Sequence, residues 1–274
     1  MSTERLDACF TRNNTLDDRA VFVGYVMAGD PDLETCFQIL KDMPPGIIEL
    51  GMPFSDPMAE GPSIQKAAQR ALAAGVTTRD VLDLVKRLRA VNDVSPIILM
   101  GYLNPIESYG YTAFAADAAE AGVDGLIVVD CPPEESGPLL DALDVHGLSL
   151  IRLATPTSDD ERLKVIADRT SGFVYYVSVA GVTGVKEAQV ASVAPAVARV
   201  RAATGLPVAV GFGIRTPERA AEIARVADAV VVGSAFVDEV AAALDAGEPV
   251  AERVLDRMNG IARAIVSARE TEAA

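Results

Sequence analysis

The residue of this chain best suited to chemistry is Glu49, which sits inside the short apolar run Ile47, Ile48 and Leu50. An ionised side chain in such a run is costly unless it is paired or used. Glu49 therefore reads either as a carboxylate facing a polar mouth or pairing with a cation, or as an acid/base group. The chain continues as GMPFSDPMAEGP, a loop rich in Pro, Gly and Asp that carries Ser55, Asp56 and Glu60. Folded back, this loop brings Glu60 near Glu49. Two carboxylates in different surroundings can have their pKa values pushed apart, so that one donates a proton while the other accepts one. Ordinary loop solvation accounts equally for Asp56 and Glu60.

Three later segments suit anion binding: Ala180 to Gly184 (AGVTG), Gly211 to Ile214 (GFGI), and Gly233 with Ser234 at the opening of a predicted helix. Glycines let backbone N–H groups approach a ligand, and a helix N-terminus stabilises a dianion without any Lys or Arg. One such segment alone is a tight turn; three at successive strand ends point to a phosphate. Thr183 and Lys186 fall in the first of the three loops, a candidate lid that excludes water, with Lys186 read as a surface residue. The single histidine, His146, lies by a predicted helix end, which speaks against histidine catalysis and a His metal site. Cys9, Cys36 and Cys131 show no CxxC or Cys/His spacing. They suggest neither a disulfide framework nor a zinc site, and a reducing cytoplasm is the expected compartment.

A net charge of −15 repels nucleic acid, so any anionic ligand must be held locally. The charged start MSTERLDACF lacks the apolar core of a signal peptide, and no uncharged apolar run is long enough to span a bilayer, so no membrane role is expected.

These residues need a scaffold that sets strand ends side by side. Eight apolar runs bounded by Gly, Pro, Asp or Asn read as strands: Val21 to Met27, Ile47 to Leu50, Ile97 to Gly101, Gly125 to Val129, Leu148 to Leu153, Phe173 to Ser178, Val208 to Gly211 and Ala229 to Val232. Between them lie amphipathic segments such as Asp32 to Asp42, Val81 to Val91, Tyr111 to Ala121, Asp159 to Asp168 and Pro217 to Ala224. Eight βα repeats predict an α/β fold, a (β/α)₈ TIM barrel forming one domain over residues 1–274. An extra N-terminal helix around Glu4 to Asn13 and an extra C-terminal helix around Ala251 to Ser267 are expected to cap the barrel ends. An open doubly wound sheet fits less well, because Tyr25 to Asp30 reads YVMAGD where a dinucleotide fingerprint would stand. Active sites of such barrels lie at the C-terminal strand ends, which favours the acid/base reading of Glu49.

Taken together, VFVGYVMAGDP, IELGMPFSDPMAEGPSIQKA, MGYLNPI, GVDGLIVVDCPPEE, YYVSVAGVTG, GFGI and VVGSAFV resemble the tryptophan synthase α subunit family along nearly the whole chain. The resemblance implies a carbon–carbon lyase of tryptophan biosynthesis that cleaves indole-3-glycerol phosphate to indole and glyceraldehyde 3-phosphate. It implies no metal or organic cofactor in this subunit. Glu49 matches the family's acid/base, and Glu60 stands where a second carboxylate meets the ring nitrogen, although the commonest residue there is Asp, one methylene shorter. Phe22, Ile64, Met100, Tyr102, Val129, Leu153, Tyr175 and Phe212 resemble the positions enclosing the substrate, with barrel-core packing an equal account of most. Gly184, Gly213, Gly233 and Ser234 match the phosphate cradle, with Thr183 on the lid, and Val179 stands where some members carry Arg. The family works as an αββα heterotetramer with a β subunit that holds pyridoxal phosphate. Here Pro53 to Asp56, Asn104 to Pro105 and Asp130 to Pro133 resemble the face that meets it, though turn formation also explains their prolines.

Other readings remain at this point: a stand-alone indole-3-glycerol phosphate lyase, an indole-glycerol phosphate synthase, or a non-catalytic barrel that activates a partner. The synthase would be expected to carry lysines on its strands, and none of the eight runs contains one. The carboxylates at 49 and 60 speak against the inert barrel.

Overall fold

The structure, a computed structural model, describes residues 2–178, 190–211 and 213–270. Eight parallel strands close into a barrel in sequence order: β1 (Val21–Met27), β2 (Ile47–Gly51), β3 (Ile97–Gly101), β4 (Gly125–Val128), β5 (Ser149–Ala154), β6 (Val174–Val177), β7 (Val208–Gly211) and β8 (Ala229–Val232). All eight expected runs are strands, with ends moved by a residue or so, as fraying ends allow. β1 pairs with β8 through Phe22 against Val230, which seals the ring.

Both faces of these strands are buried, one by the barrel interior and one by helices, so runs such as β1 and β8 carry no charged residue. Among the described residues twelve α-helices accompany the strands. They are α1 (Ser2–Phe10), α2 (Leu33–Asp42), α3 (Pro62–Ala73), α4 (Thr78–Arg89), α5 (Leu103–Tyr109), α6 (Tyr111–Ala121), α7 (Gly137–Val145), α8 (Asp160–Ala167), α9 (Val190–Thr204), α10 (Pro217–Ala224), α11 (Ser234–Ala246) and α12 (Val250–Ser267). None among the described residues is long and apolar enough to cross a membrane.

The two extra helices behave differently. α1 does close a barrel end: Leu6 and Phe10 join the interior cluster of Val21, Ile47, Ile98 and Ile151, and Phe10 packs on Phe173 with ring centroids 5.6 Å apart. Arg5 fixes it there with a 2.9 Å contact to the buried Asp124, which also accepts the Ile97 N–H and pairs with Arg89. α12 caps neither end. Its apolar stripe of Val254, Met258, Ile261 and Ile265 fills the outer layer against α10, α11 and α2, because an amphipathic helix buries its stripe where a flank is open.

At the opposite mouth, the turn after β1 is tied down by Asp30, whose two carboxylate oxygens accept from Arg70 of α3 at 2.7 and 2.8 Å. This fork fixes the helix that follows the Glu60 loop.

Candidate active site

Side chains alternate along a strand, so Ile47, which belongs to the barrel interior, puts Glu49 on the inward face of β2 as well. Glu49 is 2 % exposed, beside Tyr25 of β1 and Ile98 of β3 in register. Its Oε2 has no hydrogen-bond partner among the described residues. Burial first, and the negative field of Glu60 second, push its pKa from the usual 4.5 up to about 8. Glu49 thus carries a proton at neutral pH and presents one bare oxygen.

Glu60 ends the loop that runs from β2 to α3. The loop folds back over the mouth because Pro62 opens α3 at its first position, where a missing N–H costs nothing, and because Gln65 Nε2 donates to the Glu60 carbonyl at 2.8 Å. The Glu60 carboxyl is 7 % exposed. Burial raises its pKa to about 7, against the Tyr102 hydroxyl, which favours the ionised form. Tyr102, just beyond β3, grips the same loop elsewhere: its oxygen accepts the Ala59 N–H at 3.1 Å, and its ring stacks on Phe54 at 5.2 Å. Asp56 stays exposed, bonded to Ser55 at 2.5 Å, so loop solvation accounts for it.

Two tyrosines line the floor between the strand ends. A Cβ on Gly51 would fall 2.2 Å from the Tyr25 hydroxyl, and one on Gly211 would fall 2.1 Å from that of Tyr175, so both glycines are required by close approach. Burial, followed by the charges of Glu49 and Glu60, holds both phenols protonated.

Across the cleft are the ends of β7 and β8. Gly213 has a φ of 73°, a left-handed conformation that side chains resist, and Gly233 caps α11 without a side-chain bond. The Ser234 and Ala235 N–H groups of α11 precede the first bond of the helix, in which the Phe236 N–H donates to the Gly233 carbonyl at 2.9 Å, and they carry the positive end of the helix dipole. Ser234 opens that helix, and its Oγ lies 3.3 Å from Nη1 of Arg215.

One cleft brings together Glu49, Glu60, Ile64, Met100, Tyr175, Gly213, Gly233 and Ser234. Its two ends have complementary equipment: protonatable oxygens by β2, and backbone donors with a hydroxyl by β7 and β8. Such a cleft can hold an anionic tail and move protons at the far end of the same small molecule. Among the described residues no three His, Cys, Asp or Glu side chains are grouped as metal ligands.

Other expected residues fall elsewhere. Phe22 does not reach the cleft: it faces the helix layer and meets Phe236 of α11 edge-on at 6.1 Å. Strand parity is the reason, since Val21 and Val23 take the inward positions, and the residue of β1 that does line the cleft is Tyr25. Val129 and Leu153 border a neighbouring cavity between β4 and β5, beside Arg152, while also packing on the barrel interior. Tyr102 stands behind the Glu60 loop rather than on the cleft wall. Phe212, Thr183 and Gly184, with Val179 and Lys186, lie outside the described residues. Sequence reasoning passed over Tyr25, Ile214 and Val231, which line the cleft, and Arg215 beside Ser234. Parity counted from Glu49 through its partner in register would have found Tyr25.

Comparison with known proteins agrees with this geometry. Residues 11–266 match the family model described as tryptophan synthase alpha chain. The chain is 64 % identical over 277 residues to the tryptophan synthase alpha chain of Phenylobacterium zucineum (strain HLK1), covering 100 % of both, and 61 % identical over 272 residues to that of Caulobacter sp. (strain K31), covering 98 % of both. The crystal structure of tryptophan synthase subunit alpha from Legionella pneumophila str. Paris superposes with a TM-score of 0.88 at 40 % identity, over 95 % of this chain and 98 % of that one. Full-length identity, the shared barrel and a cleft with acids at one end and an anion cradle at the other lead to one conclusion: this chain belongs to the tryptophan synthase alpha chain family.

Proposed function

We propose that this carbon–carbon lyase cleaves indole-3-glycerol phosphate by passing protons between the substrate and two buried carboxylates, Glu49 and Glu60. The observation that supports this assignment is the buried Glu49 carboxyl, its Oε2 without a hydrogen-bond partner among the described residues, lining the same cleft as the glycine-lined helix end. The phosphate lies against Gly213, Gly233, Ser234 and the first turn of α11, which sets the indole toward β2. Glu49 gives its proton to indole C3 while Glu60 takes the ring N–H proton. The ionised Glu49 then accepts the proton of the glycerol hydroxyl beside the breaking bond. The C3–C bond opens, its electrons return to the ring, an aldehyde forms, and Glu60 restores the nitrogen's proton. Glyceraldehyde 3-phosphate and indole leave, and both carboxyl groups regain their starting states.

These steps call for no metal or organic cofactor in this subunit. The family works with a β subunit, and the reading here is an αββα heterotetramer in the cytoplasm, with pyridoxal phosphate on the partner. The exposed Met58, with Pro53, Phe54 and Pro57 beside it, gives the partner an apolar surface on the very loop that carries Glu60. The test is indole release from indole-3-glycerol phosphate, with and without the cognate β subunit. Release stimulated strongly by the β subunit is expected. Release that ignores the β subunit leaves a stand-alone lyase, and turnover that survives in Glu49→Gln removes the proton assignment.

A further inference from the structure

Beside the phosphate end of the cleft stands an arginine, paired with Asp238, that a glycine-and-helix cradle does not require. Arg215 follows Gly213 and Ile214 after β7, and its guanidinium spans two positions on one face of α11. Nη1 is 3.3 Å from Ser234 Oγ, and Nη2 pairs with Asp238, one helical turn on. Residues four apart share a helix face, so the planar fork is held at two points. The Arg215 carbonyl in turn accepts from Arg257 of α12, which fixes the backbone from which the side chain departs.

We infer that Arg215 is a positioning residue for phosphate recognition and that it acts through Ser234. An arginine nitrogen can only donate, so Ser234 Oγ must accept from it. The hydroxyl proton of Ser234 is then left for a different acceptor, and the acceptor the cradle brings within reach is a phosphate oxygen. Ser234 thereby becomes a fixed donor rather than a rotor that either accepts or donates. Paired with Asp238, the guanidinium adds no net charge to this end of the cleft, so its contribution is the fixed donor it makes of Ser234. Asp238 holds the fork without burying it: the two side chains are 39 % and 38 % exposed, so the pair is weak and orients more than it binds.

This inference rests on the reading of the cleft as an indole-3-glycerol phosphate site. Its test measures KM and kcat in the complex with the β subunit, together with inhibition by glyceraldehyde 3-phosphate and by indole. Arg215→Gln is expected to raise KM about tenfold, in line with the loss of a hydrogen bond to a charged group. It should weaken glyceraldehyde 3-phosphate by a similar factor and leave kcat and indole inhibition within about twofold. Arg215→Lys, which keeps the charge and loses the fork, should fall between. In a Ser234→Ala background the Arg215→Lys change should alter KM little, because both substitutions remove the same contact. An unchanged KM in Arg215→Gln, an equal weakening of indole, or full additivity with Ser234→Ala overturns the inference. If Arg215→Gln fails to fold, the Lys variant with and without Ser234 decides alone. A parent enzyme that releases no indole sinks the functional reading instead, so the two failures are distinct.

Discussion

Around β1 to β3, two carboxylates are withdrawn from water until they titrate near neutral pH; around β7 and β8, the proposed phosphate would meet fixed dipoles, a hydroxyl and an arginine pair that is more than a third exposed. Burial serves opposite purposes in the two regions. Desolvation at Glu49 disfavours the charged form and prepares a proton donor, whereas the same desolvation around a phosphate would repel it unless donors were already in place. On the proposed reading, proton chemistry is kept dry and the phosphate end rich in donors. One prediction follows on scale. Glu49→Gln removes a group acting only at the transition state and should lower kcat by about a thousandfold with KM nearly unchanged, within the range for lost acid–base catalysis. Ser234→Ala should do the reverse and act on KM alone. Steady-state kinetics on the two variants compares the ends directly, and a large kcat loss in Ser234→Ala would erase the division.

The division also fixes a stability effect. Glu49 titrates near 4.5 when unfolded and near 8 when folded, so below pH 4.5 both states hold the proton and nothing is lost. As pH rises toward 8 the unfolded state releases its proton and the folded state does not, so stability falls. Glu49→Gln has no such proton to lose at this site. Urea unfolding should find the variant more stable than the parent at pH 8, by about 4 kcal/mol, with the difference vanishing below pH 4.5. A parent that gains on the variant as pH rises would mean that Glu49 is not held protonated by burial.

How far these regions could be read from sequence depends on what each one uses. The eight strands were legible because Gly, Pro and Asp bound every apolar run, and Glu49 stood out as the wrong residue type within one of them. What stayed hidden was which face of a strand points inward. In VFVGYVM nearly every position is apolar because both faces are covered, so alternation carries no sign and does not separate Phe22 from Tyr25, the residue that lines the cleft. Val129 and Leu153 do pack on the barrel interior, and they border a second cavity between β4 and β5. Arg215 was invisible for another reason. A charged residue one step beyond a glycine turn looks like any solvated side chain, and only the placement of Ser234 and Asp238 one turn apart on α11 gives it a task.

The proton end makes a further demand that the phosphate end does not, namely that its two acids occupy opposite states. In the proposed mechanism Glu49 is protonated so that it can give its proton to C3, and Glu60 is ionised so that it can take the ring proton, with values near 8 and near 7. The kcat/KM profile should be bell-shaped, rising as Glu60 ionises and falling as Glu49 does, with limbs that belong to the pair rather than to either residue alone. Sodium chloride should leave the limbs in place, since both groups are buried, while weakening the substrate through its phosphate. A single limb in the profile would show that only one carboxylate moves a proton.

Tyr102 gives the finest control on this pair because it touches Glu60 without lining the cleft. Its hydroxyl favours the ionised Glu60 and also holds the loop through Ala59, while Phe54 keeps the ring in place by stacking. Tyr102→Phe keeps the ring stack and removes both polar contacts. The acid limb of the profile should move upward, because Glu60 loses a donor to its charged form, and turnover at pH 7 should drop by about three- to tenfold. The alkaline limb, set mainly by burial of Glu49, should stay where it is. A downward move of the acid limb would mean that the hydroxyl does not serve the ionised carboxylate. A loss of turnover with both limbs fixed would mean that Tyr102 only braces the loop.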